Sequence, residues 1–138
     1  MRFKYFDHTA DVLFESYGKT LAEAFENAGL AMFNILTDID KVKPEKEFSI
    51  EVISDSDEKL LYDFLEELIF LMDTEGILIS KFSNLKIKKE NNFILTCKAK
   101  GDLALNYETH GDIKSPTYNQ MEIKKKDKNY VIKAVVDI

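Results

Sequence analysis

Leu60-Leu61-Tyr62-Asp63-Phe64-Leu65-Glu66-Glu67-Leu68-Ile69-Phe70-Leu71-Met72-Asp73-Thr74-Glu75-Gly76 is the stretch on which the fold turns. Leu60, Leu61, Phe64, Leu65, Leu68, Leu71 and Met72 recur at three- and four-residue spacing, which predicts an amphipathic helix that stops at Gly76. Ser54-Asp55-Ser56-Asp57 precedes it with side-chain oxygens suited to capping free amides. Upstream, Thr20-Leu21-Ala22-Glu23 reads as a capping box, and Leu21, Ala24, Phe25, Ala28, Met32 and Ile35 continue it as a second amphipathic helix from about Thr20 to Leu36. Between the helices Phe48-Ser49-Ile50-Glu51-Val52 alternates at period two. The same period returns at Leu85 with Ile87, from Phe93 to Ala99, at Met121 with Ile123, and at Tyr130, Ile132, Ala134 and Val136. Glu90-Asn91-Asn92 and Lys125-Lys126-Asp127-Lys128-Asn129 are polar connections of the kind that close hairpins. Strands, helix, strand, helix and a run of strands predict an α+β fold. Its expected form is a two-layer sandwich with both helices packed on one face of a largely antiparallel sheet.

Composition narrows the functional classes. A chain of 138 residues, 45% hydrophobic, can bury a real core and is expected to form one domain over 1–138. A net charge of −6 argues against a broad nucleic-acid grip, which needs many Lys and Arg to neutralise phosphates. Cys97 alternates in phase with Phe93, Leu95 and Ala99, so it reads as packing, and one cysteine supports neither a disulfide nor a thiolate zinc site. With no signal peptide and no apolar run of membrane-spanning length, the expectation is a soluble, cytoplasmic protein.

The usual catalytic signatures are missing. The five glycines stand singly, so there is no phosphate loop, and no His-x-x-x-His or Cys-x-x-Cys spacing offers zinc a site. Ser16, Ser80 and Ser115 carry no pattern of an activated nucleophile. What remains is a pair of acidic strand ends. Phe6-Asp7-His8-Thr9-Ala10-Asp11-Val12 opens the chain, and Asp137 stands beside Ile138 with its α-carboxylate. If these ends meet, hard oxygen donors gather in one place. Two carboxylates about 4 Å apart repel by roughly 1 kcal/mol in water and roughly 4 kcal/mol at an effective dielectric near 20, so at neutral pH such a cluster calls for a cation.

His8-Thr9-Ala10-Asp11-Val12, followed by Tyr17-Gly18-Lys19-Thr20-Leu21-Ala22-Glu23-Ala24-Phe25, resembles the start of the archease family. Leu61-Tyr62-Asp63-Phe64-Leu65-Glu66-Glu67-Leu68, Asp73-Thr74-Glu75-Gly76, Lys114-Ser115-Pro116-Thr117-Tyr118-Asn119-Gln120-Met121 and Val136-Asp137-Ile138 follow in the family's order and spacing. The resemblance implies an accessory protein rather than an enzyme. Its partner would be the RtcB-type tRNA-splicing ligase, which joins RNA ends with GTP, and its effect would be to promote guanylylation and multiple turnover of that ligase. It also implies a metal site at Asp11, Asp137 and Ile138 with calcium as the ion, a donor set that hard cations favour. No membrane and no extensive direct RNA contact are expected.

Other residues have plainer readings. His8 either orients Asp11, contacts the ligase, or is an ordinary hydrogen-bonded histidine. His110, with Asp112 and Lys114, reads as part of a solvated loop or a partner contact. A C-terminal extension is expected to damage a site that uses Ile138. The chain departs from the family at Pro116, where Ala or Val is usual and where proline suits an edge or bulge, at Asn119, which replaces a histidine, and at Leu13. Two rival classes stay open: a small metal-dependent hydrolase or nuclease, and a structural module whose ion merely ties the two strand ends together.

Overall fold

The computed structural model describes residues 1–7 and 11–138. The first helix, α1, spans Leu21–Asn34 and the second, α2, spans Asp57–Glu75. Thr20 caps α1 by accepting a hydrogen bond from the Glu23 amide at 3.1 Å, and the Glu23 carboxylate reaches back to the Lys19 amide at 3.1 Å. The expected capping box thus forms, with its acidic arm one residue further back. Ser56 is the member of the acidic–hydroxyl cluster that caps α2, accepting from the Lys59 amide at 3.2 Å, while Asp57 and Glu58 face the positive end of the helix dipole. Gly76 ends α2 in the left-handed region at φ 63°, where a residue without a β-carbon is least strained.

Seven strands are described: β1 (Phe3–Phe6), β2 (Asp11–Gly18), β3 (Lys46–Ser54), β4 (Ile77–Lys89), β5 (Phe93–Leu103), β6 (Ser115–Lys126) and β7 (Asn129–Asp137). They pair antiparallel throughout and divide into two sheets, ordered β1-β2-β7-β6 and β3-β5-β4. The α+β sandwich with two helices is as expected; the division into two sheets is new, because alternation marks a strand's faces and not its neighbours. Both sheets touch the helices: α1 packs on β2, β7 and β4, and α2 on β6, β3, β4 and β5. Phe25 and Phe64 join the helices with ring centroids 5.9 Å apart, and Phe82 of β4 lies 5.6 Å from Phe64. All three rings are buried, so the core sits where helices and sheets converge.

β4 is longer than the Leu85–Ile87 alternation suggests. It starts directly after the helix with Ile77, Leu78 and Ile79, each essentially fully buried, and such a run carries no period-two signal. β6 is an edge strand with a register shift between Thr117 and Glu122, and Pro116 pairs with Val136 just before that shift. Both settings suit proline. Within the shifted segment Gln120 adopts φ 60°, and Tyr118 stacks on Tyr62 of α2 at 4.4 Å and 8°. At the other end of the second sheet the Tyr107 hydroxyl donates to Asp102 at 2.8 Å and accepts from the Lys43 amide at 2.9 Å. The Tyr107 hydrogen bond, reinforced by the Leu103 amide, holds the Asp102 carboxyl below the usual carboxylate range.

Candidate metal centre

Antiparallel pairing of β2 with β7 sets Asp11 directly opposite Asp137. Residues opposite one another in such a ladder have β-carbons about 4.5–5.5 Å apart and share one face of the sheet. On β2 the inward face holds Phe14 and Ser16, both buried, so Asp11, Leu13 and Glu15 lie on the outward face. The rungs of that face are informative. Glu15 stands opposite Lys133, a pair of opposite charges, and Leu13 opposite Val135, which is fully buried and makes the neighbouring rung apolar. The last rung, Asp11 with Asp137, is like-charged. Like charges directly opposite destabilise a sheet, and a cation between them reverses the sign of that interaction.

β6 brings a third polar group to the same rung. Ser115 pairs with Asp137, its hydroxyl donates to the Asp137 carboxylate at 3.4 Å, and the Lys114 amide donates to the Asp137 carbonyl at 2.8 Å. Asp11 is half-buried, whereas Asp137 and Ile138 are exposed. Among the described residues no three His, Cys, Asp or Glu side chains gather as a metal-sized cluster. An ion here would therefore take two carboxylates and complete its shell with main-chain oxygens of Ile138, the Ser115 hydroxyl and water. An all-oxygen set of mixed carboxylate, carbonyl and water is what calcium accepts, since its coordination is flexible in number and geometry.

Of the residues singled out from sequence, the fold brings Asp11 and Asp137 together, with Ile138 following Asp137 on β7's exit. His8, with Thr9 and Ala10 of the opening motif, lies outside the described residues. His110 is exposed in the loop before β6, and its main-chain amide donates to Leu36 at 2.9 Å. Cys97 is buried, and burial, with the Glu26 carboxylate second, pushes its thiol up to about 12, which leaves it inert at neutral pH. Ser115 had no signal of its own, because a strand's register partner is invisible in its sequence. A groove lined by Tyr5, Phe6, Asp7, Asp11, Val12, Asn34 and Ile35 opens beside Asp11, so Asp7 shares that groove with Asp11.

Residues 3–138 match the model of the Archease protein family (MTH1598/TM1083). The chain is 40% identical to protein archease of Methanosarcina barkeri, covering 99% of this chain and 96% of that one. It is 37% identical to the archease-like protein of Drosophila melanogaster, covering 100% and 91% respectively. The solution structure of protein 1598 of Methanobacterium thermoautotrophicum superposes with a TM-score of 0.86 at 40% identity, over 99% of this chain and 98% of that one. An archease from Thermotoga maritima, described as a possible chaperone, shares the fold at a TM-score of 0.62 and 22% identity.

Proposed function

The chain belongs to the archease family, and on that premise we propose that it is an accessory activator of the RtcB-type tRNA-splicing ligase. It is not itself an enzyme in this reading. It promotes guanylylation of the ligase and so restores the ligase to multiple turnover in tRNA splicing and RNA repair, working in the cytoplasm and away from membranes. Among the described residues no helix is long and apolar enough to cross a membrane.

The observation that carries the reading is the like-charged rung formed by Asp11 and Asp137. These carboxylates, with main-chain oxygens of Ile138, would hold a divalent cation, calcium, on the outward face of the first sheet. When bound, that ion would supply positive charge able to orient a phosphate oxygen at the ligase active site. The chain's own residues do the rest. Antiparallel pairing fixes the two carboxylates at one height, the apolar Leu13–Val135 rung flanks them on the same face, and the Ser115 hydroxyl and Lys114 amide hold Asp137 in place. Positioning of this kind is the main contribution a protein makes to phosphoryl and nucleotidyl transfer.

The test is multiple-turnover RNA joining by a cognate ligase with GTP, with and without this protein. The expected result is continued joining beyond one product per ligase only when the protein is present. No effect on a competent ligase contradicts the proposal, and hydrolysis of a phosphate ester by the isolated protein favours a metal-dependent hydrolase instead.

A further inference from the structure

The overall charge of −6 conceals a segregation of charge by element. Residues 55–75 carry Asp55, Asp57, Glu58, Asp63, Glu66, Glu67, Asp73 and Glu75 against a single cation, Lys59. The outward face of the second sheet is the opposite. On its central strand β5, Leu95, Cys97 and Ala99 point into the core, so Thr96, Lys98 and Lys100 point out. Lys81 pairs with Lys100, Ser83 with Lys98, Lys86 with Thr96 and Lys88 with Ile94. Two register shifts in β4, one between Ile79 and Lys81 and one between Ser83 and Lys86, give this arrangement: without them the alternation along β4 would not keep Lys81, Lys86 and Lys88 on the face shared with Lys98 and Lys100. The carboxylates of this face are Glu47, which reaches Lys100 at 3.7 Å, Glu51, and Asp102, whose oxygens are engaged by Tyr107, Asn106 and the Leu103 amide.

Lysine on an edge strand commonly guards against aggregation, and that suffices for Lys81, Lys86 and Lys88, because β4 is an edge. It does not account for Lys98 and Lys100, which lie on the central strand, nor for Lys81 and Lys100 being directly opposed at a cost to sheet stability. A groove on this face is lined by the polar side chains of Ser49, Glu51, Asn84, Lys86, Thr96 and Lys98, with the Lys98 ammonium donating to the Ser49 hydroxyl at 2.6 Å and Glu51 contributing its carboxylate. Among the described residues no aromatic side chain belongs to these rungs, which leaves nothing for a base to stack on.

We propose that this lysine-lined outward face of β4 and β5 binds the phosphate backbone of RNA, without reading sequence, as a weak second hold on the RNA being joined. The choice of RNA among polyanions rests on the ligase reading above. Ammonium groups at alternate positions, about 6.8 Å apart along a strand, with the hydroxyls of Ser49, Ser83 and Thr96 beside them, are groups that contact phosphates in a sequence-independent way.

Binding is measured by fluorescence anisotropy of a labelled single-stranded RNA with the full chain alone, across a salt series, so the result does not depend on ligase activation. For three to four phosphates neutralised, log affinity falls with log salt at a slope of about −2 to −3. The triple variant Lys81→Glu, Lys86→Glu, Lys88→Glu is expected to weaken binding at least about tenfold at low salt and flatten that slope. Lys124→Glu, Lys126→Glu, Lys128→Glu makes the same change in net charge at the end of β6 and the turn after it, away from this face, and is expected to leave binding intact. A Lys→Gln version of the first triple guards against loss of fold and is expected to weaken binding in the same direction. The proposal is overturned if the two triples behave alike, or if a poly-glutamate peptide competes as well as RNA at equal charge, which would mark an acidic protein segment as the occupant. Failure of the ligase assay with normal RNA binding would count against the activator reading and leave this face standing.

Discussion

Asp137→Ala is expected to abolish the calcium-dependent rise in melting temperature of this protein, and Asp11→Ala to do the same. At a hundredfold excess of calcium over its dissociation constant, binding to the folded state alone adds about 2.7 kcal/mol, on the order of 9 °C for a chain of this length. The sign without calcium separates ion loss from structural damage. Because Asp11 and Asp137 face each other as like charges, removing either relieves a repulsion worth a few tenths of a kcal/mol to about 1 kcal/mol. For Asp137→Ala this relief offsets the loss of the long Ser115 hydrogen bond, so the metal-free variant should melt close to the metal-free wild type. Thermal melts with and without calcium, after chelation, check both statements, and a variant that keeps the calcium shift contradicts the assignment.

Gly101→Ala is expected to cost about 3 kcal/mol or more, lowering the melting temperature by roughly 10 °C. Gly101 of β5 pairs with Ile79 beside the first register shift in β4. A β-carbon there would collide with the Leu78 carbonyl oxygen and lie 2.7 Å from its carbon and 3.0 Å from the Ile79 α-carbon. These are backbone atoms of a paired strand and cannot swing aside. Gly76 offers the contrast. Its φ of 63° makes alanine strained, yet nothing lies within 4 Å of the added carbon, so Gly76→Ala should cost only about 1 kcal/mol. Urea unfolding of both variants measures the difference, and equal losses would show that close strand approach is not what Gly101 serves. Since Gly101 lies in the second sheet, its variant should keep a calcium shift once folded at low temperature.

Both helices were legible in the sequence because each carries its own local evidence: the Thr20 and Ser56 caps, the three- and four-residue periods, and Gly76 at the stop. The half-buried strands were legible for the same reason, as were the two hairpins. What period two does not carry is the identity of a strand's partner. The first sheet takes strands from both ends of the sequence and the second takes β3, β4 and β5, a sorting made by tertiary packing against α1 and α2. Buried runs such as Ile77-Leu78-Ile79 also escape, because with both faces covered there is no polar position to mark the period.

The candidate site divides along the same line. Acidic residues at two strand ends were visible, and their meeting was a matter of register that only the structure supplies, at the Asp11–Asp137 rung. Ser115 joins that rung from β6 with no sequence signal at all, whereas Pro116 announced its edge position through the amide it lacks. The lysine face of the second sheet was hidden twice: by a net negative charge, and by bulges whose effect on facing cannot be read from residue spacing.

The most direct measurement is the rate of ligase guanylylation with GTP in the presence of calcium, comparing wild type with Asp137→Ala after both have been shown folded by circular dichroism. Stimulation by wild type and none by Asp137→Ala is the result this account predicts. Equal stimulation by both, with calcium binding lost only in the variant, would mean that the ion ties strands together and plays no part in activation.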